Sequence, residues 1–184
     1  MGIRIPKLIG KKVAFSTPWF AVEEKTYDSS DLPYYALSLS DYVSVIAITR
    51  EEQILFVQQY RPVVDEITLE LPSGCVEEGE TPEITAHREL LEETGYEAQE
   101  MELLAVMNTD VGRLGNKLWC YFAPDVKQIY TEPQEDDIEL VCYNSSELLM
   151  LIKNGKFNHA LNLAVILLGF QHGKLKWQDV FHKT

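Results

Sequence analysis

Positive charge is scarce in this chain. Its 184 residues include 16 lysines and arginines against 29 aspartates and glutamates, which gives a formal net charge of −13. A surface with this balance repels nucleic-acid phosphates and anionic lipid head groups, so neither is expected as a partner. An anionic substrate would need a local cation to offset the same repulsion, and a divalent metal ion is the simplest candidate.

Cysteines and long apolar runs are also few. The three cysteines form no CxxC pair, which predicts neither a disulfide framework nor a zinc knuckle but reduced cytoplasmic thiols. The first residues lack the apolar stretch of a signal peptide, and the longest apolar run, 160–170, falls short of the roughly 20 residues that span a bilayer. We therefore expect a cytoplasmic protein with no membrane partner.

The pattern of apolar residues and turn signals predicts a layered α/β fold. Predicted strands lie within 12–27 (two, broken at Pro18), 34–40, 42–49, 53–60, 67–74, 101–109, 117–126 and 138–144, with a hairpin turn at 50–53. Helices are predicted before Gly95, at 145–155 and at 158–171. The strands before residue 40 would form a separate small sheet.

The helix that ends at Gly95 has clear punctuation. Thr81 is a suitable N-cap, Pro82 suits the first helical position, and Gly95 suits the left-handed residue that stops a helix. On a helical wheel one broad side is apolar, formed by Ile84, Ala86, Leu90 and Leu91.

Three glutamates share another part of the same helix. Glu89, Glu92 and Glu93 fall within an arc of roughly 100° on the wheel, although like charges one turn apart repel each other. Clustered carboxylates are the oxygen ligands that Mg²⁺ or Mn²⁺ requires. A solvated acidic face is the alternative, but such a face usually interleaves lysines, and residues 81–97 contain none.

The longer pattern from Gly74 to Tyr96 resembles the Nudix hydrolase signature. It reads Gly, five residues, Glu80, seven residues, then RELLEETG, so every fixed position matches and only Tyr96 replaces an aliphatic residue. The resemblance implies an α/β/α sandwich around a mixed sheet, whose signature forms a loop–helix–loop that binds divalent cations. It also implies cleavage of a nucleoside diphosphate linked to another group.

The resemblance assigns roles within the signature. Glu89 and Glu93 match the principal metal ligands, and Glu92 supports them as a ligand with a catalytic role shared with Glu93. Arg88 matches the arginine that orients the glutamates and faces the substrate, with Glu80 as its partner.

Upstream, the run QQYRPVVDEITLELPSG (58–74) is similar to the ADP-ribose and nucleoside-diphosphate-sugar pyrophosphatase branch of that family. In that branch the backbone carbonyl at the position of Ser73 binds metal, and Arg61 matches an arginine that holds substrate. A surface salt bridge is the alternative for Arg61. Two subgroup marks are missing, because Val111 stands where a proline marks ADP-ribose specificity and Arg113 where a tyrosine marks dinucleotide polyphosphate hydrolases.

Other parts of the chain extend this similarity. The acidic loop 132–137 matches the segment that supplies the catalytic base, with Glu135 the first choice and Asp136 the second. An ordinary solvated turn is the alternative. Arg113 would contact phosphate or sugar, unless it is simply solvated in its loop.

The N-terminal strands match the region through which this branch forms a homodimer. Residues 1–40 are therefore expected to be a dimerising β extension and residues 41–184 the Nudix hydrolase domain. Trp19 would stack on the base of the substrate, although aromatic residues in strands more often belong to a core.

The expected function is metal-dependent hydrolysis of ADP-ribose or a related nucleoside diphosphate sugar, with Mg²⁺ as the cofactor and Mn²⁺ as a substitute. Sugars of the GDP-mannose type remain close alternatives as substrates. Two other functions stay open: a Nudix module that binds nucleotide or RNA without cutting it, and a nucleoside triphosphate pyrophosphohydrolase.

Overall fold

A computed structural model of the protein describes residues 2–177. The last part of the predicted hydrolase domain, residues 178–184, lies outside the described residues. The helices are α1 (Pro82–Thr94), α2 (Ser145–Lys153) and α3 (Ala160–Gln171). The strands are β1 (Leu8–Ser16), β2 (Ala21–Tyr27), β3 (Tyr34–Ser38), β4 (Tyr42–Ala47), β5 (Ile54–Arg61), β6 (Glu66–Glu70), β7 (Ser73–Cys75), β8 (Tyr96–Glu97), β9 (Glu102–Asn108), β10 (Lys117–Ala123), β11 (Lys127–Gln128) and β12 (Ile138–Tyr143).

Within that range the strands form four sheets. The central sheet has the order β7-β4-β10-β9 and is mixed, because β10 runs parallel to β4 while β7 and β9 are antiparallel to their neighbours. A second sheet has the order β12-β5-β6, a small one pairs β11 with β8, and β1-β2-β3 form the N-terminal sheet. The predicted mixed-sheet α/β class is confirmed.

Strand β4 carries the core on both of its faces. Val43, Val45 and Ala47 pack in one apolar layer with Ala86 and Leu90 of α1. The alternate residue Ile46 packs in a second layer with Val165 and Ile166 of α3. Because successive side chains of a strand point to opposite faces, this alternation places α1 and α3 on opposite sides of the central sheet, as in an α/β/α sandwich.

The predicted strand 67–74 is in fact two strands. Strand β6 ends at Glu70 in the β12-β5-β6 sheet, and β7 begins at Ser73 in the central sheet. The two residues between them, Leu71 and Pro72, carry the chain from one sheet to the other, and we call them the sheet crossing. Proline fits here because it has no N–H to offer a ladder.

The predicted turn at 50–53 is present, but it does not connect two strands of one hairpin. The chain does turn there, and Thr49 N donates to Gln53 O at 2.9 Å. Beyond one isolated bridge between Ile48 and Ile54, however, β4 and β5 belong to different sheets. The helices within residues 2–177 include none with the length and apolar character needed to cross a membrane.

Candidate active site

Helix α1 begins and ends where its sequence predicts. The Thr81 side chain accepts a hydrogen bond from Ile84 N, Pro82 is the first helical residue, and Gly95 stops the helix with a φ of 74°. That left-handed conformation suits glycine, and a β-carbon there would also lie 2.6 Å from Tyr130 O. These local signals fix which residues α1 presents to the sheet.

The buried face of α1 differs from its predicted apolar side. Ile84 is 54% exposed, whereas Glu89 and Glu93 are only 7% and 4% exposed. The buried residues of the helix are Thr85, Ala86, Glu89, Leu90, Glu93 and Thr94. Two carboxylates therefore occupy core positions, which is costly unless a hydrogen-bond donor or a cation compensates them.

Glu93 is held by the backbone of β7. Ser73 N donates to Glu93 Oε2 at 2.8 Å, across a gap of twenty residues in sequence. The pKa of Glu93 is raised to about 8, chiefly by burial and also by the nearby carboxylates Glu89 and Glu135, against the opposing effect of the Ser73 hydrogen bond. Burial destabilises the ionised form of this carboxyl group, and a bound cation would stabilise that form.

Arg88 connects the glutamates of the signature. Its Nε and Nη2 donate to the two oxygens of Glu80 at 2.9 and 3.0 Å, and its Nη1 donates to Glu89 Oε1 at 2.8 Å and to Glu92 Oε2 at 2.9 Å. The hydrogen bonds from Arg88 and, less strongly, from Thr85 lower the pKa of Glu80 to about 2. Arg88 thus uses its donors on the protein, which supports an orienting role.

Glycine at position 74 gives Glu89 its place. A β-carbon on Gly74 would lie 2.0 Å from Glu89 Oε1 and 2.2 Å from its Cδ, so any larger residue would occupy the space of the carboxylate. Burial raises the pKa of Glu89 as well, against the opposing effect of Arg88.

A loop carboxylate joins the helix carboxylates. Oxygens of Glu89, Glu92 and Glu135 all lie within 4.8 Å of one another. The loop that carries Glu135 is tied to the end of α1, because Gln134 N donates to Glu92 O at 2.7 Å and Ile129 N donates to Gly95 O at 2.8 Å. Asp136, the second choice for the base, is exposed and is not a member of this group.

These residues fit a divalent cation. The donor set consists of hard carboxylate oxygens from two segments, which Mg²⁺ and Mn²⁺ prefer. Burial raises the pKa values of Glu89 and Glu93, so a bound cation would stabilise their ionised forms. Glu89, Glu92 and Glu135 are close enough to share one ion. Glu93 lies near enough for the charges of Glu89 and Glu135 to affect its pKa, and its hydrogen bond from Ser73 N brings the Ser73 backbone to the same region.

Arg61 is half-buried and paired with a residue that sequence analysis missed. Its Nε and Nη2 donate to Glu70 Oε1 and Oε2 at 2.8 and 2.9 Å, and Thr68 Oγ1 donates to the same carboxylate at 2.6 Å. Burial raises the pKa of Glu70, but the hydrogen bonds from Arg61 and Thr68 outweigh it, so the pKa is lowered. This ion pair is the salt bridge that had been the alternative, although it is mostly buried.

Tyr42 is a second missed residue. It lies near both groups just described, since the charges of Glu70, Arg61 and Glu93 all affect the pKa of its phenol. Burial raises that pKa to about 12, so the phenol keeps its proton at neutral pH. Glu70 could have been noticed as the acidic residue of the quoted ELPSG run, but no local signal marks Tyr42.

The other predicted substrate residues lie in or against the N-terminal sheet. Trp19 is in the turn between β1 and β2 and is 83% exposed. The Arg113 guanidinium carbon lies 4.9 Å from the centre of the Tyr34 ring, and its Nη1 donates to Gly112 O at 2.7 Å. Within one chain, neither side chain has a hydrogen bond to the signature glutamates among residues 2–177.

Comparison with known proteins agrees with the fold and the signature. Residues 39–162 match the NUDIX domain, and the chain belongs to the Nudix family. It is 40% identical over 114 residues to the methanol dehydrogenase activator of Bacillus methanolicus, an alignment that covers 60% of this chain and 62% of that one. It is 34% identical over 99 residues to the ADP-ribose pyrophosphatase of Bacillus subtilis (strain 168), covering 54% of each.

The chain thus spans less than two thirds of the length of these curated relatives. Among solved structures, a crystal structure of an ADP compounds hydrolase superposes with a TM-score of 0.80 at 19% identity. That match covers 95% of this chain and 97% of the other. Because the identity is low, this match bears on the fold alone, and it confirms the Nudix fold.

Proposed function

We propose that the protein hydrolyses the phosphoanhydride bond of ADP-ribose or a related nucleoside diphosphate sugar, giving a nucleoside monophosphate and a sugar phosphate. The observation that carries the proposal is the convergence of Glu89, Glu92 and Glu135 within 4.8 Å beside the buried Glu93. The relatives named as ADP-ribose pyrophosphatase and, in mouse, ADP-sugar pyrophosphatase support the choice of substrate class.

Glu89, Glu92, Glu93 and the Ser73 carbonyl would hold Mg²⁺, or Mn²⁺ in its place. When bound, the metal offsets substrate charge and makes a coordinated water more acidic. Arg88 holds Glu89 and Glu92 in position through its Nη1, so the ligands are set before the ion arrives. Such preorganisation lowers the cost of binding charge.

Glu135 is proposed to take the proton from the attacking water. It is exposed and sits on a loop, yet the Gln134 hydrogen bond keeps that loop against α1 without a ligand. A base must be within reach of the proton that it removes, and Glu135 meets this condition where Asp136 does not.

Arg61 is proposed to bind a phosphate of the substrate. Glu70 occupies its Nε and Nη2, while Nη1 has no hydrogen-bond partner among residues 2–177. The bidentate pair fixes the plane of the guanidinium and leaves Nη1 for a ligand. Arg113 and Trp19 would contact the sugar and the base only if a partner subunit brings them to the site.

We accordingly propose a cytoplasmic homodimer in which residues 1–40 form the dimerising extension and residues 41–184 the hydrolase domain. Supporting this, β1 is exposed along almost its whole length, and the apolar residues Ile9, Val13 and Phe15 are 58–62% exposed. An exposed apolar edge strand of this kind is usually covered by another segment or another protein chain.

A substrate panel tests the function. ADP-ribose, GDP-mannose, UDP-glucose, ATP and GTP are each incubated with Mg²⁺, and nucleoside monophosphates and pyrophosphate are quantified. We expect release of AMP and ribose 5-phosphate from ADP-ribose. Release of pyrophosphate from the triphosphates would instead indicate a triphosphate pyrophosphohydrolase, and binding without any turnover would indicate a nucleotide-binding module.

A further inference from the structure

Asn162 of α3 is a fully buried polar residue on the side of the central sheet away from α1. It is 0% exposed, and its neighbours in the helix, Val165 and Ile166, belong to the apolar layer that packs on the sheet. A buried amide in such a layer is costly unless its donors and acceptor are used.

The side chain of Asn162 contacts the sheet crossing. Its Oδ1 accepts a hydrogen bond from Leu71 N at 2.9 Å, and its Nδ2 donates to Ser44 Oγ at 3.4 Å. Leu71 belongs to neither β6 nor β7, so its N–H has no strand partner and Asn162 supplies the missing acceptor.

The rest of the crossing is also fully bonded. Pro72 O accepts from Val45 N at 2.9 Å, and Leu71 O accepts from Ser73 Oγ at 2.7 Å. Ser73 N then donates to Glu93 Oε2 at 2.8 Å. Hydrogen bonds joined by the backbone of Leu71 and Ser73 therefore link α3, through the crossing, to a buried carboxylate of α1.

We propose that Asn162 is a positioning residue of the metal site, which fixes the sheet crossing from the far side of the sheet and thereby places the Ser73 backbone and Glu93. The proposal rests on the function proposed above, because it assigns Glu93 and the Ser73 carbonyl to cation binding. Without Asn162, the Leu71 N–H seeks another acceptor and the crossing shifts. Ser73 moves with it because only Pro72 separates the two residues.

Outer residues that orient metal ligands usually change metal affinity about 10–100-fold when they are lost. We expect Asn162→Leu, which keeps the branched shape and the number of side-chain heavy atoms and removes both hydrogen bonds, to weaken Mn²⁺ binding by about tenfold. Asn162→Asp keeps an oxygen at the position of Oδ1, so we expect it to restore most of the affinity.

The experiment is a Mn²⁺ titration followed by electron paramagnetic resonance of the free ion, without substrate. The control is Val165→Ala, which trims a buried side chain one turn along the same helix and leaves the hydrogen bond between Asn162 and Leu71 in place. We expect this control to lower the thermal unfolding temperature and leave Mn²⁺ affinity unchanged. If Asn162→Leu does not fold, Asn162→Ala is measured in its place with the same expected loss.

Wild-type Mn²⁺ affinity in the Asn162 variants would overturn the proposal, and so would an equal loss in Val165→Ala, because a purely structural role affects both helix positions alike. Failure of the proposed function is separately visible. In that case the wild type hydrolyses no compound of the substrate panel, while the titrations still show whether the Asn162 variants bind Mn²⁺ more weakly than the wild type does.

Discussion

The carboxylate of Glu89 occupies the space that a side chain on Gly74 would fill, with Oε1 only 2.0 Å from the position of that missing β-carbon. Gly74 is therefore required for the site, whatever its contribution to strand β7. Because the group in conflict is the end of a side chain, the backbone can stay in place while the carboxylate moves.

We expect Gly74→Ala to fold and to lose metal affinity by about tenfold or more, because Glu89 is displaced from Arg88 and from the other ligands. Thermal unfolding in EDTA and a Mn²⁺ titration measure the two effects separately. Gly10→Ala is the matched control, since its β-carbon would meet Thr26 at an ordinary 3.6 Å. Unchanged Mn²⁺ affinity in Gly74→Ala would contradict the ligand role of Glu89.

The raised pKa of Glu93 predicts that the stability of the metal-free protein depends on pH. This pKa is raised to about 8 from an ordinary value of 4.5, so the folded state binds the Glu93 proton more tightly than the unfolded state does. The resulting stability is complete below the unfolded pKa of 4.5, is lost progressively as pH rises from there, and is gone once pH has passed through about 8. Across that window, Glu93 lowers the free energy of unfolding by at most about 1.4 kcal/mol per pH unit.

Urea unfolding in EDTA between pH 5 and 9 measures this slope. Glu93→Gln, which is neutral at every pH, should remove the part of the slope due to Glu93 and should also abolish most turnover with Mg²⁺. Added Mg²⁺ should flatten the wild-type curve, because the cation stabilises the carboxylate form. Parallel curves for wild type and variant in EDTA would show that Glu93 does not titrate in this window.

The Arg61–Glu70 pair allows stability to be separated from substrate binding. Arg61→Gln leaves the Glu70 carboxylate, which is 4% exposed, without its cation, and we expect a loss of about 1–3 kcal/mol in the free energy of unfolding. The double variant Arg61→Gln/Glu70→Gln removes the uncompensated charge and should regain most of that stability.

Both variants should nevertheless show a raised KM for ADP-ribose, because neither has a guanidinium at position 61. Steady-state kinetics beside urea unfolding give the comparison. If the double variant recovers KM together with stability, Arg61 acts only through Glu70 and the proposed phosphate contact is wrong.

Glu135 and Asp136 are adjacent acidic residues with different expected roles. We expect Glu135→Gln to reduce kcat by about 100-fold or more, since general-base catalysis typically contributes this much. Asp136→Asn should keep kcat near the wild-type value, which makes it the matched control for the loss of one negative charge. Both are measured with ADP-ribose at saturating Mg²⁺.

A Mn²⁺ titration then distinguishes two roles for Glu135. Wild-type affinity in Glu135→Gln fits a base, whereas weakened affinity fits a ligand that shares the ion with Glu89 and Glu92. A normal kcat in Glu135→Gln together with a reduced kcat in Asp136→Asn would reverse the assignment.

Helix α1 could be predicted closely because its signals are local. Thr81, Pro82 and Gly95 act on neighbouring backbone groups, and the structure confirms all three positions. The division of 67–74 into β6 and β7 could not be predicted, because Leu71 and Pro72 leave one sheet only where a second sheet is available. The choice between one strand and two depends on tertiary structure.

The burial of Glu89 and Glu93 escaped prediction for a similar reason. The wheel places the apolar side around Ile84, yet Ile84 is 54% exposed and the glutamates face β7. Hydrophobicity predicts which side chains leave water, but here the Ser73 N–H and the Arg88 guanidinium bring carboxylates inside. Tyr42 and Asn162 have no sequence signal, because their partners are distant in the chain.

The short path from Glu70 to Ser73 has a consequence for how the site can evolve. One end of that path orients the arginine proposed to hold phosphate, and the other end anchors a carboxylate proposed to hold metal. Inserting one residue would lengthen the path by up to about 3.5 Å and turn the following side chains to the other face of the sheet. The distance between the proposed phosphate-binding arginine and the proposed metal-binding carboxylate is thus fixed by the length of this backbone segment. Changes in substrate must come from loops elsewhere.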